Sequence, residues 1–266
     1  MRKRWICFLL LLLMIAITGC QSTKEMVAFS PKVIVEKPNP TSAQEKISEE
    51  TYHKDGIEAK YPQFVAGNNE EKRKEWNKII SADFNKILQI YSFNPFPELT
   101  PTPTGVEPVI LRINYVIKSN NNEVISIFYT AAFNSPYSAH PTDLVYTTNI
   151  DKAKKQRLKL KDLVSLNDDF VKNFREWDFI SVEEGNDELN QAIRDYMSNM
   201  SDEDLLLGFK TADQIGSENL WGIYTYLTTN RLGISVSVPN YIGDHVEFER
   251  EFSELEEFLV PGFVYE

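Results

Sequence analysis

Histidine is the one side chain whose unperturbed charge change falls near neutrality, and this 266-residue sequence holds three of them. His140 lies in Tyr137-Ser138-Ala139-His140-Pro141-Thr142-Asp143, His245 directly follows Asp244, and His53 stands apart from both. An imidazole beside a carboxylate can move a proton as a general acid or base, or it can meet a binding partner. The plainer role is a ring hydrogen-bonded to backbone that fixes its loop. No Gly-x-Ser-x-Gly elbow, no glycine-rich phosphate loop and no histidine pair at metal-ligand spacing occurs in the sequence. A metal site of His140, His245 and a carboxylate would require two distant loops to meet. Tyr137, His140, Asp143, Asp244 and His245 are therefore candidate partner-binding residues, with no catalytic, metal or cofactor residue assigned. The alternative is a hydrolase using His140 or His245 with Asp143 or Asp244. It needs the paired side chains in one pocket and within hydrogen-bond reach.

Other clusters have simpler readings. Asp202-Glu203-Asp204 lacks the spacing of a calcium loop and suits the start of a helix, where acidic groups complement the dipole. The dense acidic run Glu247, Glu249, Glu251, Glu254, Glu256 and Glu257 reads as solvated helix surface, or as a docking face for a basic partner. Trp76, Trp177 and Trp221 fall on apolar stripes and read as core rather than as sugar-stacking platforms.

Both cysteines belong to the N-terminus. Arg2, Lys3 and Arg4 precede an apolar run, Ile6 to Ile17, that is shorter than the roughly 17 to 25 residues a membrane span needs. This is the pattern of a signal peptide over residues 1–19. It ends in Ile17-Thr18-Gly19-Cys20, a lipobox-like run in which Cys20 would be acylated and become the new N-terminus. Two or three acyl chains on one residue make a lasting anchor. Cys7 would leave with the signal, so the mature chain would carry no thiol for disulfide, nucleophile or metal chemistry.

Without residues 1–19, the chain sets 25 basic against 39 acidic side chains, a net charge of −14. That balance argues against nucleic acid, whose binding depends on Lys and Arg at phosphates, and favours basic partners. A content of 42% hydrophobic residues is enough for a buried core and excludes a wholly disordered chain. Residues 20–53, rich in Ser, Thr, Lys, Glu and Pro, read as a flexible tether.

Order is expected from Gly56, with a strand to Tyr61 closed by Pro62. Apolar residues from Trp76 to Tyr91 recur at three and four, which predicts an amphipathic helix over 70–91. Alternation around Val109–Ile117 and Ile125–Phe133, with Asn120-Asn121-Asn122 between, predicts a hairpin, and a third strand is expected near Leu144–Asn149. The second half predicts a short strand at Arg157–Leu160 and helices near 168–178, 187–200 and from Ser201. Strands at 221–228 and 232–238 and a closing helix around Phe252–Leu259 complete the pattern. The fold class is α+β, with antiparallel sheets packed on amphipathic helices in two closely associated modules, 54–151 and 152–262.

Several phrases resemble one bacterial family. They are Tyr61-Pro62-Gln63, Asn77-Lys78-Ile79-Ile80, Ala139-His140-Pro141, Thr148-Asn149-Ile150-Asp151 before Leu160-Lys161-Asp162-Leu163, and Val236-Ser237-Val238-Pro239. In their order they resemble the paired extracytoplasmic domains of unknown function in the lysozyme-sensing anti-sigma factor RsiV and ahead of the catalytic domain of the peptidoglycan deacetylase PdaC. Where that family often has a Gly-Lys turn, this sequence has Ala153-Lys154-Lys155. The resemblance covers about residues 54–260. It implies an α+β fold, an extracytoplasmic location and a binding rather than catalytic role.

The expected protein is lipid-anchored to the cell membrane or outer membrane, needs no cofactor, and binds peptidoglycan or a basic envelope protein such as lysozyme. The anchor is directly testable. Cys20→Ala should move the chain from the detergent phase to the aqueous phase on Triton X-114 partition and abolish labelling by radioactive palmitate. Unchanged partition would show that Cys20 is not the attachment point.

Overall fold

Asp55 and Gly56 both have positive φ (52° and 75°), the backbone of a two-residue type I′ hairpin turn, for which Asp-Gly is a preferred pair. In a computed structural model describing residues 45–67, 69–91, 110–134, 140–180, 186–263 and 265, this turn folds β1 (Lys46–Lys54) onto β2 (Ile57–Ala66). Strand β1 thus occupies residues expected to be tether. Strand β2 also runs through Pro62, because only Ile57 to Ala59 pair with the next strand and the proline sits where that edge of β2 is open.

Helix α1 (Glu70–Tyr91) follows as the periodicity requires and buries Trp76, Ile80, Phe84, Ile87 and Leu88. It carries the chain over the sheet, so β3 (Leu111–Asn120) joins β2 in parallel rather than antiparallel. Strands β4 (Val124–Phe133), β5 (Thr142–Asp151) and β6 (Gln156–Leu158) add antiparallel neighbours, completing a six-stranded sheet in sequence order. One face, with Leu111, Ile113, Ile127, Tyr129 and Ala131, packs on α1 in a single apolar cluster.

Four helices follow: α2 (Leu160–Leu163), α3 (Asp168–Phe174), α4 (Asp187–Asn199) and α5 (Asp202–Thr211). Asn167, Asn186 and Ser201 cap α3, α4 and α5 through their side chains. A second sheet orders β7 (Tyr224–Leu227), β8 (Arg231–Ser237) and β9 (His245–Glu251) antiparallel, and its Ile234, Val236, Val246 and Phe248 close a second core with these helices. The architecture is α+β. Trp76 and Trp177 are buried, and Trp221 packs half-buried on the second core.

Residues 245–251 form a strand, which corrects the helical reading of the acidic run. Val246 and Phe248 face the core while His245, Glu247, Glu249 and Glu251 share the other face, the period of two that a strand requires. No closing helix forms among the described residues near the end. The chain instead makes a single 3₁₀ turn at Phe252–Glu254.

The two sheets meet through polar side chains. The outer edge of β7 has no strand beside it. Instead Thr225 N donates to Asp213 Oδ1 (2.7 Å), Thr225 O accepts from Asn149 Nδ2 (2.8 Å), and Leu227 N donates to Ser126 Oγ (2.9 Å). Ser126 in turn donates to Asn149 Oδ1 (2.7 Å). Asp213 also accepts from Thr225 Oγ1 and Leu160 N, each at 2.7 Å, and from Thr147 Oγ1 at 3.3 Å. Burial pushes the Asp213 carboxyl above its ordinary pKa, and the Thr225 backbone hydrogen bond and the Arg157 charge oppose it.

A related arrangement ties α1 to the sheet. Asp83, buried on α1, accepts from Thr148 Oγ1 (2.9 Å), and Arg157 Nε lies 2.8 Å from its Oδ2 without a well-aligned N–H. Burial raises the Asp83 pKa too, against the Arg157 charge and the Thr148 hydrogen bond. Asn77 receives Phe64 N on Oδ1 (2.9 Å) and donates to Phe64 O (3.0 Å), so an amide stands in for a neighbouring strand.

Asn149→Ala removes the partner of Thr225 O and of Ser126 in a site without water access. Each stranded buried group costs about 1–3 kcal/mol, so the variant should lose about 2–4 kcal/mol in urea unfolding. A loss under about 0.5 kcal/mol would show that the edge of β7 finds other partners.

Candidate functional site

The second face of the six-stranded sheet is only partly covered. Near β7 it holds buried Ser126, Phe128, Thr147 and Asn149, while at the other end Arg112, Asn114, Val116, Thr130 and Asp143 reach the surface. Register explains the grouping. Arg112 pairs with Ala132 and Ala132 with Asp143, and in the next row on this face Asn114 pairs with Thr130 and Thr130 with Val145. Side chains alternate across a strand, so these two rows share one face.

The second sheet stands against this face as a wall. Tyr226 on β7 lies over Gly233 on β8, its register partner, where a Cβ would run into the ring. The Tyr226 hydroxyl reaches Glu249 Oε1 (2.9 Å) and Glu247 Oε2 (3.2 Å) on β9. Burial, followed by the charges of both glutamates, raises the Tyr226 pKa, so the phenol keeps its proton to donate. Lys118 from β3 places Nζ 4.4 Å from the centre of the Tyr226 ring, 4.7 Å from that of Phe128, and 3.7 Å from Glu247 Oε2. At the outer side of the wall Arg231 meets Glu251 (3.1 Å) and Glu249 (3.9 Å). Glu247 and Glu249 are thus half-buried, partnered parts of the wall rather than a free acidic surface.

The candidate positions separate in this frame. Tyr137 lies outside the described residues. His140 is exposed, and its Nδ1 donates to Pro141 O (3.1 Å), the loop-fixing role. Asp244, at φ 66°, accepts from Asp143 N (2.9 Å) and from Asn240 Nδ2 (3.1 Å), fastening the start of β5 to the turn before β9. Through this staple, Asp143 and His245 come to line one crevice of about 230 Å³ with Arg112, Asn114, Thr130, Ala131, Ala132 and Leu144. The sequence thus located one wall of the crevice. Arg112, Asn114 and Thr130 were missed because, on a strand, their alternation signals only a solvent-facing side.

The crevice differs from the wall in how its polar groups are used. Among the described residues, no hydrogen bond engages the side chains of Asn114, Thr130 or Asp143. Arg112 gives Nε and Nη2 to Glu58 Oε2 (3.2 Å each), leaving Nη1. His245 Nδ1 is shielded from water without a hydrogen-bond partner, 3.9 Å from Glu247 Oε1. Asp143 and His245 share this space, which keeps an acid–base role geometrically open, but the hydroxyl beside them is an ordinary threonine, not an activated nucleophile. Among the described residues no group of three His, Cys, Asp or Glu side chains is placed to hold a metal. None of their helices is long and apolar enough to cross a membrane.

A larger cleft of about 590 Å³ lies beside α3 and α4, walled by Phe174, Trp177, Ile193 and Phe248. Of its charged lining residues, Arg175 is committed to Met197 O, Met200 O and Asp202, Arg194 lies over the Phe179 ring, and Glu176 and Asp178 are also present. The smaller crevice is the better candidate because it gathers a guanidinium, a carboxylate and an imidazole, Arg112, Asp143 and His245, with Asn114 and Thr130 beside them.

No protein-family model and no curated protein sequence matches this chain. Its structural neighbours include two DUF3298 family proteins, members of a domain family of unknown function. A crystal structure from Pseudomonas aeruginosa PAO1 aligns with a TM-score of 0.47 and 11% identity, covering 82% of this chain and 96% of that one. One from Bacteroides fragilis NCTC 9343 aligns with a TM-score of 0.43 and 13% identity, covering 83% and 94%.

Gly233→Ala should force Tyr226 off its place, at a cost of about 1–3 kcal/mol for overpacking. Tyr226→Phe keeps the ring and removes only the shared donor from two carboxylates that water still reaches, so it should cost about 1 kcal/mol. Chemical denaturation of the two variants checks the order. A milder effect from Gly233→Ala would show that the wall adjusts around the ring.

Proposed function

We propose that the chain is a lipid-anchored envelope protein whose folded part is a non-catalytic binding module for a component of the cell wall. The observation that carries this reading is the crevice between the sheets. Side chains from β3, β4, β5 and β9 converge there with unused hydrogen-bonding capacity, on a rigid frame, which is what a small polar ligand requires. The signal-and-lipobox pattern ending at Cys20 supports an extracytoplasmic, anchored location. The resemblance to the domains of RsiV and PdaC supports a binding role near peptidoglycan.

A second reading, recognition of a basic envelope protein such as lysozyme, rests on the net charge of −14 for residues 20–266. Opposite net charge speeds encounter, and salt screens it.

The full chain in mild detergent, incubated with insoluble sacculi and separately with immobilised hen lysozyme at low and high salt, tests both. Retention on sacculi at either salt, without release of soluble fragments, is the expected result. Salt-sensitive capture by lysozyme alone would replace the wall by a basic protein as ligand. Soluble muropeptides in the sacculus supernatant would make the protein a hydrolase instead.

A further inference from the structure

Charges in the crevice are ordered along one line. Glu58, Arg112, Ala132 and Asp143 are register partners across β2, β3, β4 and β5, so they form a single row on the open face. Glu58 holds the Arg112 guanidinium by Nε and Nη2 and thereby fixes its plane. One strand, β4, lies between Arg112 and Asp143, so their backbones are two inter-strand spacings, about 10 Å, apart. Between them stands Ala132, whose methyl group leaves the floor low, and beside it Asn114 and Thr130 offer donors and acceptors. A cation at one end, an anion at the other, and a small residue between them describe the complement of a short zwitterion.

We infer that this crevice is a subsite for a zwitterionic dipeptide of small residues, its carboxylate on Arg112 and its ammonium on Asp143. The inference rests on the wall-binding reading and gives it a chemical class, a free short peptide of small amino acids of the kind that cleavage of the wall polymer releases, since peptides still attached to it are acylated at their N-terminus. Arg112 pairs with Glu58 and not with Asp143, so the two charged ends stand apart, and a dipeptide spans such a gap better than a single amino acid, whose ammonium and carboxylate share one carbon. Asn114 and Thr130, in the adjoining row, lie where the central amide of a dipeptide would pass. A neutral glycan would leave Asp143 without a charged partner and the free Nη1 of Arg112 without a carboxylate.

The test titrates the full chain in detergent with D-alanyl-D-alanine, its N-acetyl derivative and its C-terminal amide, by calorimetry. The free dipeptide should bind, and each blocked form should bind about tenfold more weakly, since each loses one charge-assisted contact. Arg112→Gln should abolish the preference for free acid over amide while keeping that for free amine over acetyl. Asp143→Asn should do the reverse. Both side chains are exposed, so the fold tolerates the changes. Equal binding of all three ligands, or none, overturns the inference. Sacculus retention measured on the same preparations separates the levels: retention without dipeptide preference removes this subsite and leaves the wall-binding reading, whereas loss of both removes each.

Discussion

A buried strand edge is the constraint from which the rest of the structure follows. Strand β7 turns its free edge toward the face of another sheet, where no strand can pair with it and water does not reach. Unsatisfied, its Thr225 N–H, Thr225 C=O and Leu227 N–H would each cost about 1–3 kcal/mol. Asp213, Asn149 and Ser126 satisfy them individually. Hydrogen bonds are directional, so the solution also fixes an angle: the second sheet stands edge-on to the first instead of lying flat upon it. Apolar burial alone would not select that arrangement, because it is indifferent to direction.

The corner so formed gives the crevice its walls. Tyr226 must be close to the six-stranded sheet because Thr225 and Leu227 on either side of it are fastened there. Its ring then meets Phe128 in an edge-to-face contact, 5.2 Å between centroids, and its hydroxyl organises Glu247 and Glu249. Polar groups near the join are consumed by this network. Farther out, where β3, β4 and β5 emerge from under the wall, Asn114, Thr130 and Asp143 are left over. The contrast between the consumed groups at the join and the unused ones at the adjacent concave surface makes the latter informative.

Much of the fold was legible. The 3.6-residue period of α1, the alternation in β3, β4 and β5, and the capping residues of α3 to α5 are local signals, and local structure follows them. Asp55-Gly56 was also a readable hairpin signal, yet the Pro- and Ser-rich composition before it pointed to tether. The run His245-Val246-Glu247-Phe248-Glu249 alternates strictly. Its charge density suggested helix surface, and the period was the better guide, because Tyr226 supplies what exposed glutamates would take from water. What could not be read was the crevice itself. Asp143 and Asp244 are 101 residues apart, and Arg112 joins them only through the register of three strands. Such a meeting is decided by the β7 edge, a tertiary constraint with no local period.

The same reasoning assigns roles to polar residues in the short phrases singled out in the sequence. Asn77 completes the open edge of β2 at Phe64, Thr148 satisfies Asp83, and Asn149 satisfies the edge of β7. Asp151 accepts from Lys154 N (2.7 Å) to close the turn before β6. Asn77 and Asn149 satisfy backbone groups of a strand edge, Thr148 a buried carboxylate, and Asp151 an exposed turn. The positions that would set the ligand are the ones the fold does not need: Arg112, Asn114, Thr130 and Asp143 project from strands whose backbone pairing would survive their replacement. Two proteins built on this corner can accordingly keep Asn149 and Asp213 and bind different molecules, with the difference written in two rows of exposed strand residues.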